Sequence, residues 1–409
     1  MPVSGEPSEW LSARALLRRR DFAIYWWSGF VSSPGNWVHN VTASVVMFTL
    51  TESPLMVGLL NFAIFIPNLI FSLPAGVLGD RFDRRWVVGL SSGLGAVAAA
   101  ALTLISMAGG VTPVVLLLLC FVIGSANPLA KPALSAMIPG LVPRGAIGRA
   151  TALYIVQYQI GQAAGPAMAA VLLLTSSPTW AFGLNAVSYL APIAAMLIIR
   201  FPERPTAQPE SGAQRPRGSI MEGLRYIARD STMLLMLLAI VLTNGAVEAL
   251  RTLAPSLADE RGLPEAAGFI VMGYSTGALL GLFLFGVADR HLRPRLLLLS
   301  AFALQALGLI LVVLSPTLAW AVAGALPIGL GFALSIPRLS AGLQMSASDG
   351  YRSRVMAAFT MAHLGLRPFF ALLAGALASL SINGSLLVFV ALAVAAAIFV
   401  ARRDIVGPS

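Results

Sequence analysis

The chain has 409 residues, of which 57% are hydrophobic and only 11% are charged. A soluble protein carries about 25% charged residues, so this composition excludes an ordinary soluble enzyme and a disordered protein. The net charge of +10 does not predict nucleic-acid binding, because the basic residues lie in short clusters between apolar stretches and not on one face beside base-stacking aromatic residues.

The apolar stretches predict an all-α membrane protein with twelve transmembrane helices, since a helix needs about 20 apolar residues to cross the bilayer. The predicted spans are 22–50, 55–79, 86–108, 112–138, 150–174, 180–200, 231–257, 264–288, 295–314, 316–344, 354–378 and 384–401. We expect two six-helix halves, 22–200 and 231–401, joined by the Pro-rich linker 201–230. Residues 1–21 and 402–409 form the predicted terminal segments.

Basic residues predict the orientation, because cytoplasmic loops retain Lys and Arg while short translocated loops lack them. With the N-terminus inside the cell, 22 of the 27 basic residues fall in cytoplasmic segments. The opposite side holds only Arg261, and four others fall within spans. This asymmetry predicts an even number of spans with both termini in the cytoplasm.

The two halves repeat each other weakly. Arg20-Asp21 recurs as Arg229-Asp230, and Asp80-Arg81 recurs at the same offset as Asp289-Arg290. A second set recurs at a nearly equal offset, with Gly124, Pro132 and Arg149 matching Gly329, Pro337 and Arg354. Paired six-helix repeats are typical of transporters, whose substrate site lies at the repeat interface near the middle of the membrane. The repeat therefore predicts a carrier.

The loop between spans two and three contains glycines followed by an acid and several arginines. It contains Gly76, Asp80, Arg81 and Arg84, and a degenerate copy of the pattern occurs at Asp289 and Arg290. This loop resembles the signature of the major facilitator superfamily, in which the acid and the arginines latch the two halves together in the outward-open state. The resemblance implies the same latch here, although Asp83 stands where the family has a later glycine. The alternative is a set of topology signals, which leaves Asp80 unexplained.

Span five contains Gly161, Gly165 and Pro166. Small residues four apart allow close helix approach, and proline kinks a helix. This motif resembles the fifth-helix Gly-Pro motif of exporting superfamily members, and the alternative is simple helix packing. Across nearly the whole chain the sequence resembles the enterobactin exporter-like and macrolide efflux-like branch of drug:proton antiporters. That branch implies a bacterial inner-membrane protein. Span four lacks the arginine typical of proton antiporters and offers only Lys131.

Ionisable residues inside the membrane are functional candidates, because a charge at the bilayer centre costs at least about 2.5–3.5 kcal/mol. Glu248 is the only carboxylate well within a span, and it is the repeat mate of His39. We predict proton-coupling roles for Glu248, His39 and His363. Arg251, three residues from Glu248, permits a purely structural ion pair as the alternative, and both histidines permit a packing role.

The predicted substrate cavity adds basic and polar side chains from both halves. Its members are Arg251, Arg367, Tyr158, Gln162, Asn36 and Asn40. Arg367 either pairs with Glu248 or meets an anionic or carbonyl-rich substrate. Lys131 and Arg338 lie nearer the cytoplasm and are interpreted as residues whose side chains extend to the membrane surface. The lone cysteine, Cys120, lies in an apolar run, which predicts a buried and inert thiol.

These features predict a monomeric secondary transporter that exports a small amphiphilic organic molecule, such as a drug or siderophore, by proton antiport. No metal-ligand spacing, cofactor motif or nucleophile–base arrangement is present in the sequence, so we expect no enzyme activity, no cofactor and no metal. The expected partners are the substrate and the lipid bilayer, without nucleic acid. The alternatives are a uniporter or importer of an amphiphilic metabolite, and a non-transporting membrane sensor or partner protein.

Overall fold

The computed structural model describes residues 12–199, 220–348 and 351–402. Nearly all of these residues are helical, and none of them forms a strand. The fold is therefore all-α, as predicted. Polar caps start several helices: Thr112 and Ser177 accept hydrogen bonds from backbone N–H groups of the first turn and precede a proline at the first helical position.

The helices of the first part of the chain are separated by short turns. They are α1 Ala13–Arg18, α2 Arg20–Thr51, α3 Pro54–Arg81, α4 Arg84–Met107, α5 Pro113–Leu141, α6 Ile147–Thr175, α7 Pro178–Ser188 and α8 Leu190–Ile198. The remaining helices are α9 Ile220–Arg229, α10 Ser231–Asp259, α11 Ala267–His291, α12 Pro294–Val313, α13 Leu318–Ser346, α14 Arg352–Thr360, α15 Arg367–Ala378 and α16 Ile382–Arg402. A π-helical turn, Met361–Gly365, joins α14 to α15.

Ten helical segments within the described residues are long and apolar enough to cross a membrane. They correspond to ten of the predicted spans. The other two predicted spans are α2, with 32 residues, and α6, with 29. Both of these helices carry polar side chains in their middle, including Asn36 and His39 in α2 and Gln157 and Gln162 in α6. The protein is a multi-pass membrane protein.

Three segments differ in detail from the predicted elements. The sixth span is broken at Tyr189 into α7 and α8, and the eleventh is interrupted by the π-helical turn. Within the predicted linker, residues Ile220–Arg229 form α9. This helix forms because Ile227 is buried against the core of the following helices while Arg225 and Arg229 are exposed.

Helix α9 is fixed to the start of α14 by an aromatic pair. The rings of Tyr226 and Tyr351 stack with centroids 4.3 Å apart. Hydrogen bonds with the side chain and backbone of Ser348 lower the pKa of the Tyr226 hydroxyl, because they stabilise its phenolate form. Part of the predicted linker is therefore a docked helix. Residues 201–219 of the linker lie outside the described residues.

The chain divides into two compact units. Unit 1 contains Met1–Thr42 and Ile70–Gly212, and unit 2 contains Ala43–Leu69 and Ala213–Ser409. Unit 2 therefore includes the end of α2 and most of α3, although both helices belong to the first half of the repeat. Close backbone packing explains this membership: a Cβ added at Gly58 of α3 would lie 2.7 Å from the carbonyl oxygen of Ala371 in α15.

Candidate transport site

Glu248 lies in the most enclosed of the spanning helices. Helix α10 is buried on nearly all sides within unit 2, and Glu248 itself is 1% exposed. It is eleven residues before the end of the helix at Asp259, which corresponds to about 16 Å along the axis. A carboxylate at this depth requires compensating partners, because burial of an isolated charge is costly.

Two arginines supply this compensation, and both bind the same carboxylate oxygen. Nη1 of Arg251 lies 3.4 Å from Oε1 of Glu248, one helical turn along α10. Nε of Arg367, at the start of α15, donates to the same oxygen at 2.6 Å. The bond from Arg367 joins α10 to α15. Glu248, Arg251 and Arg367 are called the Glu248 cluster below.

Aromatic rings cover both guanidinium groups. The guanidinium carbon of Arg251 lies 4.7 Å from the ring centroid of Tyr274 in α11, and that of Arg367 lies 4.6 Å from the ring centroid of Phe65 in α3. A cation over a ring face within about 6 Å is attracted by the ring quadrupole. The rings therefore stabilise two charges that water does not reach freely.

The Glu248 cluster carries one positive charge in excess when the carboxyl group is ionised. Other acidic residues of the surrounding helices, such as Asp259 of α10 and Asp289 of α11, lie at helix ends. The second carboxylate oxygen, Oε2 of Glu248, is buried and accepts no hydrogen bond from the residues that the structure describes.

His39 lies in unit 1 and is fully buried. Its Nε2 is 3.4 Å from Sγ of Cys120 in α5, and its ring centroid is 5.5 Å from that of Phe182 in α7. Its Nδ1 has no hydrogen-bond partner within the described part of the chain. Cys120 is buried, as predicted. The proton-coupling role of His39 stays a prediction.

His363 lies in the π-helical turn, four residues before Arg367. Its ring is stacked between Phe359 and Phe332, with centroid distances of 5.7 and 5.9 Å. π-Helical turns widen a helix locally and are frequent at functional sites. The geometry fits the predicted proton-coupling role and equally a packing role, so this role also stays a prediction.

The polar residues predicted for the substrate cavity in unit 1 lie on two helices. Asn36 of α2 accepts a hydrogen bond from the hydroxyl of Tyr189 at 2.6 Å, and Asn40 is half-buried one turn further along. On α6, Tyr158 is exposed and Gln162 is half-buried. Nζ of Lys131 in α5 lies 5.9 Å from the ring centroid of Tyr158.

The glycines of the predicted span-five motif pack against α2. A Cβ added at Gly161 would lie 2.2 Å from Oγ of Ser33, and one added at Gly165 would lie 2.4 Å from Cβ of Trp37. Pro166 is buried beside them. These distances give the motif a packing role, which does not exclude the export role that the resemblance implies.

The structure describes only some of the residues of the predicted latch. The surroundings of Gly76 and the side chains of Asp80 and Arg81 lie outside what the structure describes. Arg84 donates from Nη1 to the carbonyl oxygen of Ala136 in α5 at 2.7 Å. In the second copy, Asp289 pairs with Arg338 of α13 at 3.7 Å, while Arg290 is exposed.

The sequence does not predict several residues that contact the candidate site residues. Tyr274, which lies over Arg251, is one of them, because an aromatic residue in an apolar helix carries no signal of its own. Tyr189 was missed for the same reason, although it donates to Asn36. The contact between His39 and Cys120 joins residues 81 positions apart, a distance that only the helix packing reveals.

Comparisons with known proteins agree on a transport function. The family model described as "transmembrane secretion effector" matches residues 11–406. The multidrug efflux pump Tap of Mycolicibacterium fortuitum is 21% identical over 367 residues, covering 88% of this chain and 90% of Tap. The enterobactin exporter EntS of Escherichia coli is 27% identical over 309 residues, covering 73% of this chain and 72% of EntS.

Solved structures of transporters share the fold of this chain. The crystal structure of the nucleoside transporter NupG has a TM-score of 0.76 at 14% identity, covering 94% of this chain and 98% of that one. An inward-facing bacterial homologue of the human lysosomal transporter Spinster has a TM-score of 0.69 at 16% identity, with coverages of 93% and 96%. At these identities the similarity shows the fold alone.

Proposed function

Because this chain belongs to the transmembrane secretion effector family of major facilitator transporters, we propose that it exports a small amphiphilic organic molecule in exchange for protons. The protein is a transporter and not an enzyme. Its relatives include a multidrug efflux pump and a siderophore exporter, which supports export of a drug-like or siderophore-like molecule. In this proposal the protein is a monomer in the bacterial inner membrane, with both termini in the cytoplasm.

The proton-antiport proposal rests on the burial and the contacts of Glu248. Its carboxylate is buried, is bound through Oε1 by two arginines, and has a second oxygen without a described partner. An ionisable group inside the membrane is a functional candidate, and Glu248 is the carboxylate that lies well within a span. Glu248 is therefore the group that we assign to proton uptake and release.

Protonation of Glu248 has a direct consequence for helix packing. The ionised carboxylate attracts Nε of Arg367 across the contact between α10 and α15. A proton removes the carboxylate charge and so weakens this charge-assisted bond. The two helices are then less firmly joined, which couples the protonation state to the alternating-access cycle.

The test uses everted membrane vesicles with an imposed proton gradient and measures accumulation of an amphiphilic fluorescent dye. We expect Glu248→Gln to abolish gradient-driven accumulation, because glutamine keeps the shape and cannot titrate. The matched control is Glu260→Gln, which removes a half-exposed carboxylate just after the same helix. Full activity of Glu248→Gln would exclude Glu248 from proton coupling.

Loss of folding must be separated from loss of coupling. Removing one partner of a buried ion pair costs about 3–5 kcal/mol, so Glu248→Gln leaves two buried arginines undercompensated. The double variant Glu248→Gln with Arg367→Gln removes one positive and one negative charge together. We expect it to reach the membrane in normal amounts and still to show no proton-driven accumulation.

A further inference from the structure

Helix α5 presents two exposed faces of opposite character. Near its start, Val114 and Leu118 are 63% and 64% exposed. Further along, Asn127, Lys131 and Ser135 are exposed at intervals of four residues. At about 100° per residue, Asn127 points about 180° away from Leu118. The apolar face fits contact with lipid, and the polar face lies on the other side of the helix.

The polar face extends too deep to be a membrane-surface feature. Lys131 is ten residues before the end of α5 at Leu141, or about 15 Å along the axis. A lysine that extends to the surface uses its long stem, but Asn127 lies one turn deeper and has no such stem. Polar side chains exposed at this depth require water or a polar ligand. This face therefore lines an aqueous cavity and does not face lipid.

The proline pattern of α5 adds hydrogen-bond acceptors. Pro128, Pro132 and Pro139 lie within the helix, and each proline lacks the N–H that would bind the carbonyl four residues earlier. The carbonyl groups of Gly124, Pro128 and Ser135 therefore lack their usual intrahelical donor. The helix therefore presents backbone as well as side-chain polar groups.

Helices α4 to α8 supply no carboxylate to Lys131, and α2, which also contacts α5, carries its acidic residue, Asp21, in its first turn. Helices α4, α5, α6, α7 and α8 contain no Asp or Glu. The ammonium group lies beside the exposed ring of Tyr158, with the hydrogen-bonding side chains of Asn127 and Ser135 one turn away on either side. A cation, an aromatic ring and two neutral polar groups match an anionic group attached to an aromatic or apolar body.

We propose that this face of α5, together with Tyr158, is a substrate-binding site in which Lys131 binds an anionic group such as a carboxylate. The inference rests on the proposed export function and names its substrate class as an anionic amphiphile. Substrate and proton then use different residues: the anion binds Lys131 in unit 1, and the proton binds Glu248 in unit 2.

The first test asks whether the polar face meets water. Single cysteines replace Asn127, Ser135 or Leu118 in a Cys120→Ala background, and a sulfonated maleimide is applied to native membranes from either side. We expect labelling of Asn127→Cys and Ser135→Cys and none of Leu118→Cys. Equal labelling of all three variants, or labelling of Leu118→Cys alone, would overturn the inference.

The second test measures binding to the purified full chain by equilibrium dialysis. The radiolabelled probes are 1-naphthoate, which carries a carboxylate, and 1-naphthamide, its neutral analogue. We expect Lys131→Gln to weaken naphthoate binding by about tenfold, the effect of losing one charge-assisted hydrogen bond. Binding of naphthamide should not change, and Lys131→Arg should bind naphthoate more tightly than Lys131→Gln. Arg225→Gln, on the exposed face of α9, is the control for loss of a positive charge.

The outcomes separate this site from proton coupling. A wild-type protein that binds naphthoate no more tightly than naphthamide, or a Lys131→Gln variant that loses both probes equally, would overturn the site. Selective loss of naphthoate binding in Lys131→Gln would confirm the site. If Glu248→Gln also kept its proton-driven export, that result would contradict the proton role of Glu248 and leave the site intact.

Discussion

At the scale of single residues, the Glu248 cluster shows how charges are kept inside a membrane protein. One carboxylate oxygen receives both arginines, and each guanidinium also lies over an aromatic ring. Charge pairing and ring contacts together offset part of the desolvation cost. Charge pairing and ring contacts thus act on the same two guanidinium groups.

Cys120 provides a test of how tightly unit 1 is packed. It is fully buried, with its sulfur in contact with Nε2 of His39. We expect a membrane-permeant maleimide to leave Cys120 unlabelled in the folded protein and to label it after denaturation in detergent, as measured by mass spectrometry. The control is Ser176→Cys in a Cys120→Ala background, because Ser176 is exposed and should react at once. Labelling of native Cys120 at the rate of this control would contradict the packing.

The sequence predicts which residues carry charge in the membrane, but it does not predict which residues they contact. Glu248, Arg251 and Arg367 stand out because ionisable residues are rare in spans. Their pairing depends on the contact between α10 and α15, which no local pattern encodes. Lys131 resembles a surface-seeking lysine when read alone. Its different character emerges only when the exposure of Asn127 and Ser135 places it on a continuous polar face.

At the scale of helices, the length of an apolar stretch predicts well that a transmembrane helix exists and roughly where it ends. It predicts breaks inside the helix poorly. The predicted span 231–257 corresponds to α10, Ser231–Asp259. The interruption between α14 and α15 leaves little trace in hydropathy. Its local cause is Pro368, which follows Arg367 at the first turn of α15 and cannot donate to the preceding turn. This break positions Arg367 at a helix start beside Glu248.

The glycine motif of α6 provides a test of whether the close packing of α6 on α2 contributes to the stability of the protein. Leucine at Gly161 or Gly165 would collide with Ser33 or Trp37 of α2. Overpacking a tight contact costs about 1–3 kcal/mol, so we expect each variant to unfold at a lower temperature, measured by thermal shift in detergent. Gly148→Leu in the same helix is the control, because a Cβ there meets nothing within 4 Å.

The same variants distinguish the two interpretations of the motif. Equal melting temperatures for Gly161→Leu, Gly165→Leu and Gly148→Leu would contradict the packing role. A stable Gly165→Ala protein that no longer exports would instead favour the export-specific role that the resemblance implies. The packing distances make loss of stability the expected result.

At the scale of the whole molecule, the repeat predicts two halves in chain order, and the structure divides the chain differently. Residues 43–69 belong to unit 2, where Phe62 of α3 packs edge-on against Phe369 of α15 at 5.6 Å. The same segment places Phe65 over Arg367. Repeat offsets relate positions along the chain, and they carry no information on which helix ends are in contact.

The α3–α15 contact gives a test of alternating access. In the proposed alternating-access cycle, the two predicted six-helix halves rock against each other, and this contact has to open because it joins α3 of the predicted first half to α15 of the predicted second half. In a Cys120→Ala background, we treat Phe62→Cys/Phe369→Cys with a short bis-methanethiosulfonate, which joins the two cysteines through disulfides with release of methanesulfinate. We expect this cross-link to stop dye export in vesicles, and a reductant to restore it. The control joins Phe370→Cys to Phe389→Cys, a similar edge-on pair at 6.2 Å within the second half. Continued export by the cross-linked Phe62→Cys/Phe369→Cys protein would show that the contact stays closed throughout the cycle.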